Sequence, residues 1–326
     1  MPDLLDIEID YNENGSITLH QTKYVEKLVK RFLPDGPSPK VQRNTLPYSS
    51  SFLEHLNQGL AQTECEYPEL VRPMQERIGC LMYAATSTRC DIAYTVNQLC
   101  QCMHKPTPAV MAEVDHLISY LARHPRVGLT YSPGFGDPQR LAGFADASWE
   151  TRRSTSGWVM RAQCAALSWG SPKQKSTALS SCEAEIIALS EATKDAVYLR
   201  KVWRGLREPD ADSPTRLATD SQSARDVSYN PEQHGRMKHV ARRHFFVRDM
   251  VESLEIEVPY VRTADNDADF FTKPMKSAPQ FFAFRAKIMN EPERPGWDRA
   301  TRGLGHPAEG GRPRVQRSTS PPSGSE

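Results

Sequence analysis

Apolar and polar positions alternate along the start of the chain: Ile7, Ile9 and Tyr11 precede Asn14-Gly15, and Ile17 and Leu19 follow it. A period of two marks strands, and Asn-Gly between two such runs marks a hairpin, because both residues tolerate the positive φ of a tight primed turn. A β-hairpin is therefore expected over residues 5–19. The period then lengthens. Val25, Leu28, Val29 and Phe32 share a helical face, which predicts a short helix over 24–32. Pro, Ser and Gly predict a loop over 33–47. Between 67 and 124 helical spacing recurs in three pieces, marked by Ile78, Leu81, Met82 and Ala85, then Ile92, Val96 and Leu99, then Val114, Leu117, Ile118 and Leu121. Breaks fall near 86–90 and at Lys105-Pro106-Thr107-Pro108. Within this packing unit Arg77, Arg89, Lys105 and Arg123 offer phosphate contacts, against the commoner reading of solvated surface charge.

After Pro133 the pattern changes again. Residues 141–148, 156–162 and 165–169 read as three strands in quick succession, followed by a long amphipathic helix over 180–206. A fourth strand over 216–219, a helix over 240–254 and a fifth strand over 256–261 complete a mixed sheet flanked by helices, an α/β architecture. From 291 Pro, Gly, Ser and Arg dominate, the composition of a disordered tail. The chain thus divides into a hairpin-and-helix part over 1–132, an α/β domain over 138–290 and a tail over 291–326.

Composition narrows the partners only slightly. A formal net charge of +1 gives no global attraction to nucleic acid, so any such binding rests on local patches. The seven cysteines are odd in number and form no CxxC pair, which predicts reduced thiols inside a cell and no structural zinc. No apolar run approaches the ~20 residues that cross a bilayer, and the first thirty residues are acidic and broken by turns, unlike a signal peptide. No membrane partner and an intracellular location are expected.

Candidate chemistry centres on the stretch LAGFADAS, in which Asp146 ends an apolar strand. A buried, unpaired carboxylate costs several kcal/mol, so it calls for a cation or hydrogen-bond donors. Three later stretches offer one carboxylate each: Glu185 in SSCEAEIIAL, Asp220 in RLATDSQSA and Asp269 in NDADFFTKP. Glu183 and Glu185 point to nearly opposite helix faces. Ser180 and Glu183 have the spacing of a capping box, while Glu185 lies on the apolar stripe through Ala184, Ala188, Ala192, Leu199 and Trp203. Each acid has a plainer alternative. Asp220 fits a helix N-cap, Asp146 a turn residue, Glu185 a glutamate that reaches to the domain edge, and Asp269, with Asp265 and Asp267, a carboxylate run at a helix start. Taken together, the four are expected to converge on one site that cuts a nucleic-acid backbone. Converging carboxylates repel unless cations are present, and Mg²⁺ takes oxygen ligands while keeping waters. Two such ions about 4 Å apart suit in-line displacement at a phosphate, and Mn²⁺ is an alternative.

The stretches STSGWV from Ser154, ALSWGSPKQKSTALSSCEAEIIALSEA from Ala166, ATDSQSA from Ala218, HGRMKHVARRHFFVRDMV from His234 and DADFFTKPM from Asp267 closely resemble the RNase H domain of copia-type LTR retrotransposon Pol polyproteins. Upstream, DLLDIEIDYNENGSITLHQTKYVEKLVKRF is similar to the end of that family's reverse transcriptase, and IGCLMYAATSTRCDIAYTVNQL to the helical region joining it to RNase H. The resemblance implies an RNase H-like fold, a five-stranded mixed sheet with helices on both faces, preceded by a reverse-transcriptase thumb or connection remnant. It implies that Asp146, Glu185, Asp220 and Asp269 hold metal and that the RNA strand of an RNA–DNA hybrid is hydrolysed. A cytoplasmic particle or the nucleus is the implied location. The family's second Asp, two residues after the first, is here Ser148, and a short acidic insertion before the RRSTSG segment is missing. No counterpart of the polymerase palm and its paired aspartates is present, so DNA synthesis by this chain alone is not expected, and the missing palm and fingers are an implied partner. The other functional reading is a non-catalytic remnant that binds nucleic acid or serves as a structural module. A nuclease acting on DNA ends is a third.

Basic side chains supply the candidate nucleic-acid contacts. Arg236, Lys238, Arg242 and Arg243 fall in the segment 234–248, with Lys238 and Arg242 on one helix face, and Lys173 and Lys175 precede the long helix. They are expected to track hybrid phosphates, the alternative being a solvated face.

Overall fold

The computed structural model describes residues 3–132, 141–149, 153–208, 211–229 and 241–291. Its N-terminal sheet has the order β1 (Asp3–Leu4), β2 (Ile7–Tyr11), β3 (Ile17–His20), β4 (Gly128–Tyr131), antiparallel throughout. The expected hairpin is present, but Tyr11 faces Ile17, which leaves residues 12–16 as a loop wider than a two-residue turn. Gly15 carries the left-handed φ of +78° there, and Asn12 closes the loop by donating from Nδ2 to Ser16 Oγ at 2.9 Å. Polar residues rather than the isoleucines take the buried places on this hairpin: Glu8 accepts from the Lys23 backbone N–H, and His20 pairs with Asp10. β4 has no sequence signal, since four residues pairing with a distant strand are too few to show a period.

Helices α1 (Thr22–Phe32), α2 (Phe52–Ala61), α3 (Pro68–Ser87), α4 (Ala93–Cys100) and α5 (Pro108–Arg123) follow. The break between α3 and α4 falls at Thr88–Arg89 with a 3₁₀ turn over Cys90–Ile92, and α5 starts where Pro108 takes the first turn and the Thr107 hydroxyl accepts from the Val110 N–H. The four cations weighed as phosphate ligands or solvated charge here are internal cross-links. Arg89 is fully buried, bidentate to Asp91 and bonded to the His124 carbonyl; Arg77 pairs with Asp115, Lys105 caps the Gln62 and Thr63 carbonyls, and Arg123 holds the Val41 carbonyl. Sequence cannot reveal this, because each partner is a carbonyl or carboxylate fixed only by packing.

The second sheet has the order β7 (Ala165–Gly170), β6 (Ser156–Ala162), β5 (Ala142–Ala147), β8 (Thr215–Ala218), β9 (Ile256–Glu257). β5, β6 and β7 are antiparallel, while β8 and β9 run parallel to β5, because α6 (Ser181–Leu206) separates β7 from β8 and α7 (Gln222–Tyr229) and α8 (Ala241–Glu252) separate β8 from β9. This is the mixed five-stranded α/β sheet expected. Alternation divides its side chains: Ala145 and Met160 join Leu189, Ala192, Val247 and Val251 of α6 and α8 on one face. Phe144, Val159 and Ala166 turn to the other face, where they meet α9 (Ala278–Met289), Phe270, Phe271 and the apolar faces of α3 to α5. That apolar cluster runs without interruption from α1 through α5 into the second sheet. Among the described residues no helix is long and apolar enough to cross a membrane, and all seven cysteines are free thiols.

Candidate metal centre

Three of the four sequence-selected acids meet. Asp146 ends β5, Asp220 follows β8, and Asp269 lies in a 3₁₀ turn over Asp267–Phe271; one carboxylate oxygen of each falls within 4.8 Å of the others. Among the described residues this is the one cluster of three or more acid, histidine or cysteine side chains close enough to share an ion. Asp146 and Asp269 are buried and Asp220 is half-buried. Local structure disposes of the plainer alternatives for Asp146, which lies within β5, and for Asp220. Ser221, not Asp220, caps α7, its hydroxyl accepting from the Ala224 N–H at 3.2 Å. Asn266 caps the 3₁₀ turn by accepting from the Ala268 N–H, and the three acids of that run go separate ways: Asp265 to Arg262, Asp267 to Arg161 and Lys287, Asp269 to the cluster.

Glu185 stands outside the 4.8 Å group and approaches from α6. Ser180 caps that helix as its spacing predicts, accepting from the Glu183 N–H, while the Glu183 carboxylate takes the Leu179 N–H, which frees Glu185 from any capping task. The Glu185 carboxylate accepts from the Ala147 backbone N–H at the end of β5, and its Oε2 is buried without a hydrogen-bond partner. Burial first, then the charges of Asp146 and Asp220, push Glu185 up to about 9; burial, then Asp269, push Asp146 up to about 7. An orphaned buried carboxylate oxygen and mutually repelling acids, all oxygen donors, fit a hard divalent cation such as Mg²⁺ or Mn²⁺.

Sequence reasoning missed what holds these acids. The short segment from Asn266 to Lys273 fastens all three: Asn266 Nδ2 donates to Asp220 Oδ1 at 3.1 Å and to the Ala145 carbonyl, Thr272 Oγ1 donates to Asp146 Oδ2 at 2.5 Å, and Lys273 Nζ meets Asp269 Oδ1 at 2.8 Å. The readable signal was spacing, since Thr272 and Lys273 stand three and four residues past Asp269, one helical turn away. The segment reaches the sheet because Gly157, opposite Asp146 on β6, has no side chain: a Cβ there would lie 2.5 Å from Thr272 Cγ2 and 2.8 Å from the Ala268 carbonyl. Gly157→Ala is expected to lower stability by ~1–3 kcal/mol and to weaken Mn²⁺ binding roughly tenfold. Thermal melts and a Mn²⁺ titration check this; unchanged values in both would show that the segment can shift freely. Ser148, where the resembling family carries an acid, closes the β5–β6 connection instead, exchanging hydrogen bonds with the Thr155 backbone at both its own N–H and its hydroxyl.

Of the candidate phosphate contacts, Arg236 and Lys238 lie outside the described residues, as does the side chain of Arg242. Arg243 is half-buried on α8. Lys173 bridges to Thr155 beside the β6 end that faces Ala147, so it stands at the same end of the sheet as Asp146, and Lys175 beyond it is exposed.

Strand order, the parallel crossover through α6 and acids at the β5 and β8 ends define an RNase H-like α/β domain. The chain's relatives are retrovirus-related Pol polyproteins from copia-type retrotransposons of plants. It is 32% identical over 267 residues to the retrovirus-related Pol polyprotein from transposon TNT 1-94 of Nicotiana tabacum, covering 78% of this chain and 19% of that one. Identity is also 32%, over 233 residues, to the polyprotein from transposon RE1 of Arabidopsis thaliana, covering 69% of this chain and 16% of that one. A secreted RxLR effector protein 161 of Plasmopara viticola matches at 37% identity over 131 residues, 39% of this chain and 91% of the effector. The chain thus spans less than a fifth of the two polyproteins. Among solved structures, RNase H1 of the halophilic archaeon Halobacterium salinarum aligns with a TM-score of 0.32 at 16% identity, over 41% of this chain and 94% of that one. No family model matches the chain.

Proposed function

We propose that the chain is a ribonuclease H that hydrolyses the RNA strand of RNA–DNA hybrids, with Asp146, Asp220, Asp269 and Glu185 holding two Mg²⁺ ions. The observation that carries this reading is the meeting of three acids from three separate segments within 4.8 Å, beside the orphaned Oε2 of Glu185. The chemistry two such ions supply when bound is a water acidic enough to attack at neutral pH and charge stabilisation on the leaving 3′ oxygen. The chain's own residues fix the acids: Thr272 sets the rotamer of Asp146, Asn266 that of Asp220, and the Ala147 N–H that of Glu185. Lys173 and Lys175, with Arg243 and the basic residues Arg236, Lys238 and Arg242, are proposed to meet the phosphates of the hybrid, and the polymerase portion of a longer polyprotein is the proposed partner in gripping it.

The test is cleavage of an end-labelled hybrid in Mg²⁺ by the wild type and by Asp220→Asn. Cleavage confined to the RNA strand, reduced on the order of 10³-fold in the variant, a loss of ~4 kcal/mol in barrier lowering, is the expected result. Hybrid binding without cleavage would favour a non-catalytic binding module, and cleavage of duplex DNA would favour a different nuclease.

A further inference from the structure

We infer that Lys273 is a built-in counter-cation of the acid cluster, which must leave Asp269 before a divalent ion can be fully seated, so that it sets the protein's metal affinity. The inference rests on the metal-centre reading above and goes beyond it by assigning a control residue that is not a ligand. Three observations carry it. The Lys273 ammonium lies 2.8 Å from Asp269 Oδ1, an oxygen of one of the three converging acids. Its charge also acts on Asp146 and Asp220, so it serves the whole cluster rather than one partner. Its side chain remains 48% exposed, on a residue followed at once by Pro274, so the flexible stem can swing to solvent without disturbing the buried Thr272 that fixes Asp146.

Physically, an ammonium and a divalent cation compete for the same carboxylate and repel each other at short range. The lysine therefore keeps the cluster folded when metal is scarce and raises the concentration at which metal displaces it. An ordinary surface ion pair predicts something different. It would contribute slightly to stability and leave metal affinity alone.

The experiment is a Mn²⁺ titration followed by electron paramagnetic resonance, with thermal melts of the same full-length samples in chelator. Lys273→Met is expected to bind Mn²⁺ about tenfold more tightly than the wild type, ~1.4 kcal/mol, while its metal-free melting temperature falls. Lys273→Arg, which keeps the charge, should retain wild-type affinity to within about twofold and so separates charge from packing. Equal affinity in wild type and Lys273→Met overturns the inference and leaves the metal-centre reading intact. Weaker binding in Lys273→Met also overturns it, since the lysine would then be supporting the ligands rather than competing with the ion. Absence of binding in all three proteins overturns both.

Discussion

Expressed from residue 138 onward, without the hairpin and helices that precede it, the α/β part is expected not to fold cooperatively. One face of its sheet is covered by that preceding part: Val159, Ala166, Phe270, Phe271, Phe281, Phe282 and Met289 belong to the apolar cluster that begins in α1. At ~1.5–3 kcal/mol for each large apolar side chain returned to water, the loss is on the order of 10 kcal/mol, which equals the whole stability of an ordinary domain. Polar ties fail as well. Arg285 donates to Tyr120 Oη at 2.7 Å, Tyr131 Oη to the Ala166 carbonyl, Trp169 Nε1 to the Ala85 carbonyl and Asn290 Nδ2 to the Thr130 carbonyl, and each crosses between the two parts. Truncation would take Tyr120 away from Arg285 and leave Glu291 as its remaining side-chain partner. Circular-dichroism melts of the full chain and the fragment check this; a sharp melt of the fragment within a few degrees of the full chain would show the two parts to be independent. The practical consequence is that the nuclease assay belongs on the full chain.

The second large effect is on stability against pH and metal. Asp146 and Glu185 both have folded-state pKa values above their unfolded ones, about 7 against 3.8 and about 9 against 4.5. For an acid the neutral form is then the one the fold favours. Stability from these two groups is therefore full below about pH 4 and is lost as pH rises, through about 7 for Asp146 and through about 9 for Glu185. The opposite trend comes from Asp91, whose pKa Arg89 holds below the usual value despite its burial; that contribution is present at neutral pH and is lost in acid. Metal-free protein should accordingly lose on the order of a few kcal/mol between pH 5.5 and 8.5, since one unit of pKa difference is ~1.4 kcal/mol. Glu185→Gln should flatten that slope and melt higher than the wild type at pH 8.5, and saturating Mg²⁺ should restore the wild type at the same pH. A wild-type melting temperature that does not fall across this range without metal would show the acids to be better solvated than their burial indicates.

These two results separate the local from the non-local contributions to the site. The capping pair Ser180 and Glu183 was legible because its geometry is contained in four consecutive residues, and it freed Glu185 for the cluster by elimination. Within the run Asp265, Asp267 and Asp269 the plainer reading was strongest, because all three suit a helix start equally and their spacing alone does not separate Asp269 from the other two. Packing sends Asp267 inward to Arg161 and Lys287 and leaves Asp269 facing Asp146. The roles of Asn266, Thr272 and Lys273 were unread for the same reason, since their partners lie on β5, just after β8 and one turn back in their own segment.

What the sequence by itself determined is most of the elements: the hairpin, the first helix, the three helical pieces over 67–124 with their breaks, and five strands and two long helices in the order that makes a mixed sheet, whereas α2, β4 and α9 were not read from it. Periods of two and of 3.6, caps and turn residues are properties of a few neighbouring positions, so they survive without knowledge of the fold. Only the tertiary structure decided that the first part forms one wall of the second, that Gly157 admits the segment carrying Asp269, and that Lys273 faces the acids. Those outcomes depend on contacts between residues far apart in the chain, where burial and charge, rather than local spacing, select the partner.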